Sequence, residues 1–118
     1  MKVREFVDKL NMKVWAGNNE GLEKDIKGIY ACDLLSWVMS HAKKEDAWIT
    51  VHTNLNIAAV GVLTEVSCII VPEDISVEQD TIKRAESEGI VILGTGLSAY
   101  EICCKAYESG IGKTGGNK

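Results

Sequence analysis

The chain has 118 residues, of which 46% are hydrophobic and 25% are charged, a composition typical of one soluble globular domain. Its 17 acidic and 13 basic side chains give a net charge of -4 with no basic stripe, which argues against a nucleic-acid partner. The charged start MKVREFVDKL does not fit a signal peptide, and no apolar run reaches the roughly 18 residues of a membrane span. We therefore expect a cytoplasmic protein without a membrane partner.

Hydrophobic periodicity and turn residues predict alternating helices and strands along the chain. In chain order these are a helix at 2–10, a strand at 12–15, a loop at 16–21, a strand at 26–32, a helix at 34–42, a strand at 47–51, a helix at 55–66, a strand at 68–71, a helix at 77–88, a strand at 90–93 and a helix at 97–109. Capping boxes at Ser76 and Ser98 are expected at the starts of the last two helices, which end at Gly89 and Gly110.

Four successive strand–helix units predict an α/β fold with a parallel sheet and helices on its faces. The runs CIIV and IVIL are continuously apolar, as strands covered on both faces require. The helix at 55–66 has only Asn56, Thr64 and Glu65 as polar residues. We expect it to be buried on more than one side, with a second copy of the chain as a plausible cover, and so predict a homodimer.

The cysteines and the C-terminal tail carry no recognisable chemistry. Cys32, Cys68, Cys103 and Cys104 form no CxxC pair, so we expect buried free thiols, no metal site and no cofactor. The tail at 112–118 contains Gly-Lys-Thr, but Tyr107 stands where a P-loop needs its first glycine. We therefore expect the tail to be flexible. We also expect the protein not to be an enzyme.

Polar residues follow the predicted strands where a parallel sheet binds its ligands, beyond the carboxyl ends. We identify the candidate ligand-binding residues as Asp33, Ser36, His52, Thr53, Asn54 and Thr95. Helix starts at these junctions favour an anion, and His52 can change charge near neutral pH. Asp33 and Asn54 also suit a purely structural role as helix N-caps, and both interpretations stay open.

Two stretches together resemble the DRTGG domain, which is similar to the N-terminal domain of HPr kinase/phosphorylase. They are KGIYACDLLSWVMSHAKKEDAWIT and VHTNLNIAAVGVLTEVSCIIV, with Gly28, the run 33–36 and the run 52–54 as matching residues. The likeness covers residues 1–111. The name-giving motif departs from the family at 23–29, EKDIKGI, where Lys27 and Ile29 replace the threonine and the second glycine.

The resemblance implies a three-layer α/β/α sandwich, a regulatory or accessory role, and dimers. The kinase chemistry of the HPr enzyme belongs to a separate P-loop domain. The leading hypothesis is a regulatory module that binds a small anionic metabolite or nucleotide. The alternatives are an assembly subunit that binds a partner protein, and a small enzyme with His52 and Asp33 as an acid–base pair.

Overall fold

The computed structural model describes residues 1–112 as one alternating series of helices and strands. In chain order the elements are α1 (Val3–Leu10), β1 (Lys13–Ala16), α2 (Asn19–Leu22), β2 (Gly28–Ala31), α3 (Leu35–His41), β3 (Asp46–Ile49), α4 (Asn56–Thr64), β4 (Cys68–Val71), α5 (Gln79–Glu88), β5 (Ile92–Gly94) and α6 (Ala99–Glu108). The predicted tail lies outside the described residues, apart from Gly112.

The short helix α2 lies in the segment predicted to be a loop. Its single turn is closed by the Asn18 side chain, whose oxygen accepts a hydrogen bond from the Gly21 N–H at 2.8 Å. A four-residue helix has too few positions to show a hydrophobic period, so the sequence pattern could not identify it.

The five strands form one sheet in the order β1-β5-β4-β3-β2. The strands β2 to β5 are parallel neighbours, as predicted. The first strand, β1, lies at the edge and pairs antiparallel with β5, between Lys13 and Gly94 at one end and Ala16 and Ile92 at the other. The sheet is therefore mostly parallel.

Helices cover both faces of this sheet, which gives the three-layer α/β/α sandwich that was expected. On one face, Phe6 of α1 and Ile102 of α6 belong to the same buried cluster as Ile70 of β4. On the other face the buried cluster joins α3, α4 and α5 to the sheet through Val38, Ile57, Ala85, Trp48 and Ile69. Burial of each large apolar side chain contributes about 1.5–3 kcal/mol. None of the helices within residues 1–112 is both long and apolar enough to cross a bilayer.

Within a single chain, helix α4 buries the side that faces the sheet, and the expected cover of its other side by a second copy stays a prediction. Ile57 and Val60 face the sheet, whereas Leu55, Val62 and Leu63 are exposed, Leu63 by 67%. Helix α3 adds exposed Leu34, Trp37 and Met39. We call the exposed sides of α3 and α4, together with their N-cap residues Leu34 and Leu55, the α3–α4 face, which carries six exposed apolar side chains.

The four cysteines are free, but only Cys68 is fully buried, so the expectation of buried thiols holds for that residue alone. Burial raises the pKa of the Cys68 thiol to about 12, which keeps it protonated and inert at neutral pH. Cys32, Cys103 and Cys104 are half-buried.

Of the two predicted capping boxes, the one at Ser98 is confirmed and the one at Ser76 is wrong. Ser98 Oγ accepts from the Glu101 N–H at 3.2 Å, and the Ser98 N–H donates to Glu101 Oε1 at 3.0 Å. Hydrogen bonding of the Glu101 carboxyl to the Ser98 backbone N–H and, second, to the Ser98 side chain lowers the pKa of that carboxyl. Helix α5 instead begins after Glu78 without a side-chain cap. Val77, buried in the core before the helix, holds the chain so that the first turn forms beyond Ser76.

The C-terminal ends of these helices follow the prediction more closely. Gly89 is the C-cap of α5 in the left-handed conformation, with φ of +74°. Helix α6 ends at Ser109, and Gly110 follows it with φ of +97°. Glycine adopts this conformation without the steric cost of a Cβ atom.

We predict that Ser98→Ala lowers the free energy of unfolding by about 1 kcal/mol, because it removes the cap of α6. Ser76→Ala is the matched control and should change stability by less than about 0.5 kcal/mol, because Ser76 caps no helix. Urea denaturation followed by circular dichroism measures both. Equal losses in the two variants would contradict the assignment of the caps.

Candidate functional site

The carboxyl ends of the parallel strands all lie at one edge of the sheet, which we call the carboxyl edge. The six candidate residues lie there in two groups. Asp33 and Ser36 follow β2, and the run 52–54 follows β3, so these five are on neighbouring strands. Thr95 follows β5, on the far side of β4. The structure therefore brings together five of the residues and separates the sixth.

Asp33 joins the ends of β2 and β3 and does not cap α3, which corrects its interpretation as an N-cap. Its Oδ1 accepts hydrogen bonds from the Thr50 hydroxyl at 2.8 Å and from the Val51 N–H at 2.9 Å. The N-cap of α3 is Leu34, with no side-chain hydrogen bond. Since Thr50 is almost fully buried, the Asp33 carboxylate satisfies a hydroxyl that has little access to water.

His52 is half-buried beside Asp33 and has one ring nitrogen held by the backbone. Its Nε2 lies 2.5 Å from the Asp33 carbonyl oxygen. Because a carbonyl oxygen only accepts, Nε2 carries the hydrogen and donates it. The other nitrogen, Nδ1, makes no hydrogen bond within residues 1–112, so it can accept from a ligand when neutral or donate to one when protonated.

The imidazole meets the backbone carbonyl of Asp33, whereas the Asp33 carboxylate faces Thr50 and Val51. The acid–base pair that an enzyme would need is therefore not formed by these two side chains. Within residues 1–112, no group of three or more His, Cys, Asp or Glu side chains is arranged to hold a metal ion.

The remaining members of this group differ in how far the fold uses them. Asn54 Oδ1 accepts from the Asn56 N–H at 3.0 Å, but the N-cap of α4 is Leu55, which corrects the interpretation of Asn54 as the N-cap. The Thr53 carbonyl accepts from the buried Thr81 hydroxyl at 2.7 Å. The fold thus uses the backbone of Thr53, and its side chain is half-buried. Ser36 is exposed in the first turn of α3. We call Asp33, Ser36, His52, Thr53 and Asn54 the strand-end cluster.

Thr95 lies instead in a separate cleft of about 310 Å³, also at the carboxyl edge. We call it the crossover cleft. Its lining includes one tryptophan and five polar side chains: Trp15, Asn11, Lys13, Asp74, Ser76 and Thr95. Thr95 Oγ1 accepts from the Leu97 N–H at 3.2 Å, and its carbonyl accepts from the Asp74 N–H at 2.9 Å. Sequence reasoning missed Lys13 and Trp15, because nothing in the pattern showed that β1 would pair with β5.

The crossover cleft lies where successive connections cover opposite faces of the sheet. Helices α3, α4 and α5 pack on one face, whereas the connection after β5 leads to α6 on the other face. The loops after β4 and β5 stay joined, because the Glu73 N–H donates to the Leu97 carbonyl and the Asp74 N–H to the Thr95 carbonyl, both at 2.9 Å. The cleft lies between these loops and β1. Open α/β sheets bind ligands at such points.

A cavity of about 490 Å³ lies at the opposite edge and includes residues of the 23–29 segment. Four carboxylates at its rim are in ion pairs with cations: Arg4–Glu23 at 2.6 Å, Lys2–Asp25 at 3.8 Å, Lys27–Glu45 at 3.1 Å and Arg84–Glu88 at 2.9 Å. Because most of its charge is already compensated, we favour the carboxyl edge as the candidate site despite its smaller cavities.

Comparison with known proteins shows a fold similarity. No protein-family model and no curated protein matches the sequence. The fold is similar to a crystal structure of the CBS and DRTGG domains of the regulatory region of Clostridium perfringens pyrophosphatase, complexed with its activator diadenosine tetraphosphate. The TM-score is 0.67 and the identity 16%, over 86% of this chain and 44% of that one. A DRTGG-like fold is thus confirmed, whereas the similarity to HPr kinase/phosphorylase stays a prediction.

We predict that Asp33→Ala destabilises the fold by about 1–3 kcal/mol, because it leaves the buried Thr50 hydroxyl without its acceptor. Ser36→Ala, three residues along the chain, is the control and should change stability by less than about 0.5 kcal/mol. Urea denaturation gives both values. A loss at Asp33 no larger than that at Ser36 would show that the carboxylate is not needed to join the two strands.

Proposed function

We propose that this chain is a non-enzymatic regulatory module of the cytoplasm that binds a small anionic metabolite or nucleotide at the carboxyl edge of its sheet. The observation that carries the proposal is the fold similarity to a regulatory region that was crystallised with a nucleotide activator. The chain spans 44% of that structure's chain, and the pyrophosphatase activity of the neighbour is no part of the proposal.

The strand-end cluster offers an anion a suitable set of hydrogen-bond donors. Protonated His52 has a donor at Nδ1, and the hydroxyl groups of Ser36 and Thr53 lie on the same two strand ends. The Asp33 carboxylate would repel an anion, but its Oδ1 already accepts hydrogen bonds from the Thr50 hydroxyl and the Val51 N–H. A phosphate or carboxylate oxygen bound to His52 would stabilise the protonated imidazole.

A second function, assembly through a homodimer, is favoured by the α3–α4 face. Single exposed apolar residues are common on protein surfaces, but here six lie on two adjoining helices. Leu34 and Leu63 expose 63% and 67% of their surface, which is large for leucine. A second copy placed on this face would supply the cover that a single chain does not give to α4.

The ligand proposal predicts that His52→Ala abolishes a ligand-induced rise in melting temperature. A thermal-shift panel of AMP, ATP, diadenosine tetraphosphate and inorganic phosphate identifies a responsive compound, since a ligand that binds only the folded state raises stability. The substitution itself should cost about 1 kcal/mol or less, because it removes one half-exposed hydrogen bond.

His41→Ala is the matched control, since His41 is an exposed histidine of α3 that stacks on Trp37 with ring centroids 3.9 Å apart. It should retain the wild-type shift. If no compound of the panel shifts the melting temperature, or if His52→Ala keeps the full response, binding at the strand-end cluster is disproved.

The assembly proposal predicts about twice the chain mass in light scattering at micromolar concentration. Leu63→Glu should return the protein to a monomer, because a charge would be buried in the contact without a partner. Tyr100→Glu is the control: Tyr100 is 78% exposed, but lies on α6, across the sheet. A wild-type monomer, or a Leu63→Glu dimer as stable as wild type, would rule out this interface.

A further inference from the structure

We propose that the crossover cleft is a separate binding site, for a small molecule with an amino group at one end and an anionic group at the other. This goes beyond the proposed function, because the residues that carry it are Lys13, Trp15 and Asp74, and the strand-end cluster contributes none of them. Unpaired polar groups of opposite kinds meet in this one cleft.

The first observation is a buried donor without an acceptor. Trp15 sits at a bulge in β1, between the pairs Val14–Leu93 and Ala16–Ile92. Its indole Nε1 is buried and has no hydrogen-bond partner within residues 1–112. Such a donor normally finds a partner in a native protein, because leaving it unpaired is unfavourable. A ligand acceptor in the adjoining cleft would supply one after a small shift of the neighbouring backbone.

At Gly94 and Gly96 this backbone has no room for a side chain. A Cβ on Gly94 would lie 2.4 Å from Trp15 Nε1, and a Cβ on Gly96 would lie 2.9 Å from Asp74 Oδ2. Gly94 and Gly96 thus let the indole edge and the carboxylate approach the backbone on either side of Thr95. The two glycines keep both groups close to the cleft and leave its space unfilled by protein atoms.

The second observation is a cation held in place without a counter-ion. The Lys13 ammonium lies 3.6 Å from the centroid of the Trp15 ring, a cation–π contact. Lys13 forms no ion pair within the part of the chain that the structure describes, residues 1–112. The contact with the indole restricts a side chain that would otherwise be flexible, and so places a positive charge at the cleft for an anionic group to meet.

The third observation is an acceptor of the opposite charge in the same cleft. Asp74 follows Glu73, and both adopt the left-handed conformation with φ of +59°. The Asp74 carboxylate accepts no hydrogen bond and forms no ion pair within residues 1–112, and it does not pair with Lys13 although both line the cleft. A ligand that bridges them needs a donor for Asp74 and an anionic group for Lys13.

Two sources supply this chemistry: a free amino acid, with its ammonium and carboxylate, and an aminopurine nucleotide, with its exocyclic amino group and phosphate. A cleft of about 310 Å³ is in the range of small-molecule sites. A comparison of AMP with IMP tests the role of Asp74, because IMP lacks the exocyclic amino group that would donate to the carboxylate. L-alanine tests the amino-acid source.

The experiment is a titration of the full chain, labelled with ¹⁵N at its tryptophan indoles, with AMP, IMP and L-alanine. Trp15→Phe assigns the resonance of the Trp15 indole N–H. We expect AMP or L-alanine to shift this resonance saturably, and expect the Trp48 resonance, from a fully buried ring, to move little. If AMP is the ligand, IMP should bind at least about tenfold more weakly, since a charge-assisted hydrogen bond is lost.

The variants Asp74→Asn and Lys13→Gln should each weaken binding by about tenfold or more. Asparagine tolerates the left-handed conformation of position 74, so the first variant changes the charge while keeping the backbone. Asp80→Asn and Lys83→Gln, which alter exposed side chains of α5, are the controls and should bind like wild type. His52→Ala should also keep this response, which separates the cleft from the strand-end cluster.

The proposal is overturned if none of the three compounds moves the Trp15 resonance, or if the response survives both Asp74→Asn and Lys13→Gln. A response that disappears in His52→Ala and persists in Asp74→Asn would overturn it too, and would at the same time favour the strand-end cluster as the site of binding.

Discussion

The fold depends on the need to cover both faces of the two central strands. All four residues of β3 and all four of β4 are buried, so neither strand has a side that water reaches. Trp48 illustrates the constraint: its ring is fully buried against the layer of α3 to α5, and its indole N–H needs the Cys32 carbonyl, 2.9 Å away, as acceptor. Without helices on both faces, these strands would expose a continuous apolar surface.

The order in which the chain covers the two faces also determines where the candidate sites lie. The strands from β2 to β5 are laid side by side in one direction, so their three connecting helices fall on one face. The other face is left for α1 and α6, from the two ends of the sequence. The crossover cleft lies at the change of face after β5, and the addition of β1 at the edge brings Lys13 and Trp15 to it.

Local patterns in the sequence were enough to predict the helices and strands, but not the contacts between segments that are distant in sequence. The strand CIIV, the helix end at Gly89 and the cap at Ser98 could be predicted because each depends on residues close in sequence. Ser76 has the same local signature as Ser98, but the tertiary burial of Val77 overrides it. Propensity is a weak guide wherever packing decides.

The candidate site shows the same division. Asn54 bonds a residue two positions along the chain, Asn56, so a local structural role could be predicted, although the N-cap of α4 is Leu55. The partner of Asp33 is Thr50, on the next strand, and a carboxylate before a helix gives no sign of whether it will cap that helix or bind across the sheet. Lys13, Trp15 and Asp74 are brought together only by the antiparallel pairing of the first strand with the last, for which the sequence offers no local signal.

The bulge at Trp15 has a further consequence, for the solubility of the folded chain. The strand β1 lies at the edge of the sheet, where unpaired N–H and C=O groups invite another chain to add a strand and begin an aggregate. A bulge increases the local twist and interrupts the regular spacing of these groups, and Lys13 adds a charge to the same four-residue strand. The irregularity that turns an indole toward a cleft therefore also protects this edge from amyloid-like pairing.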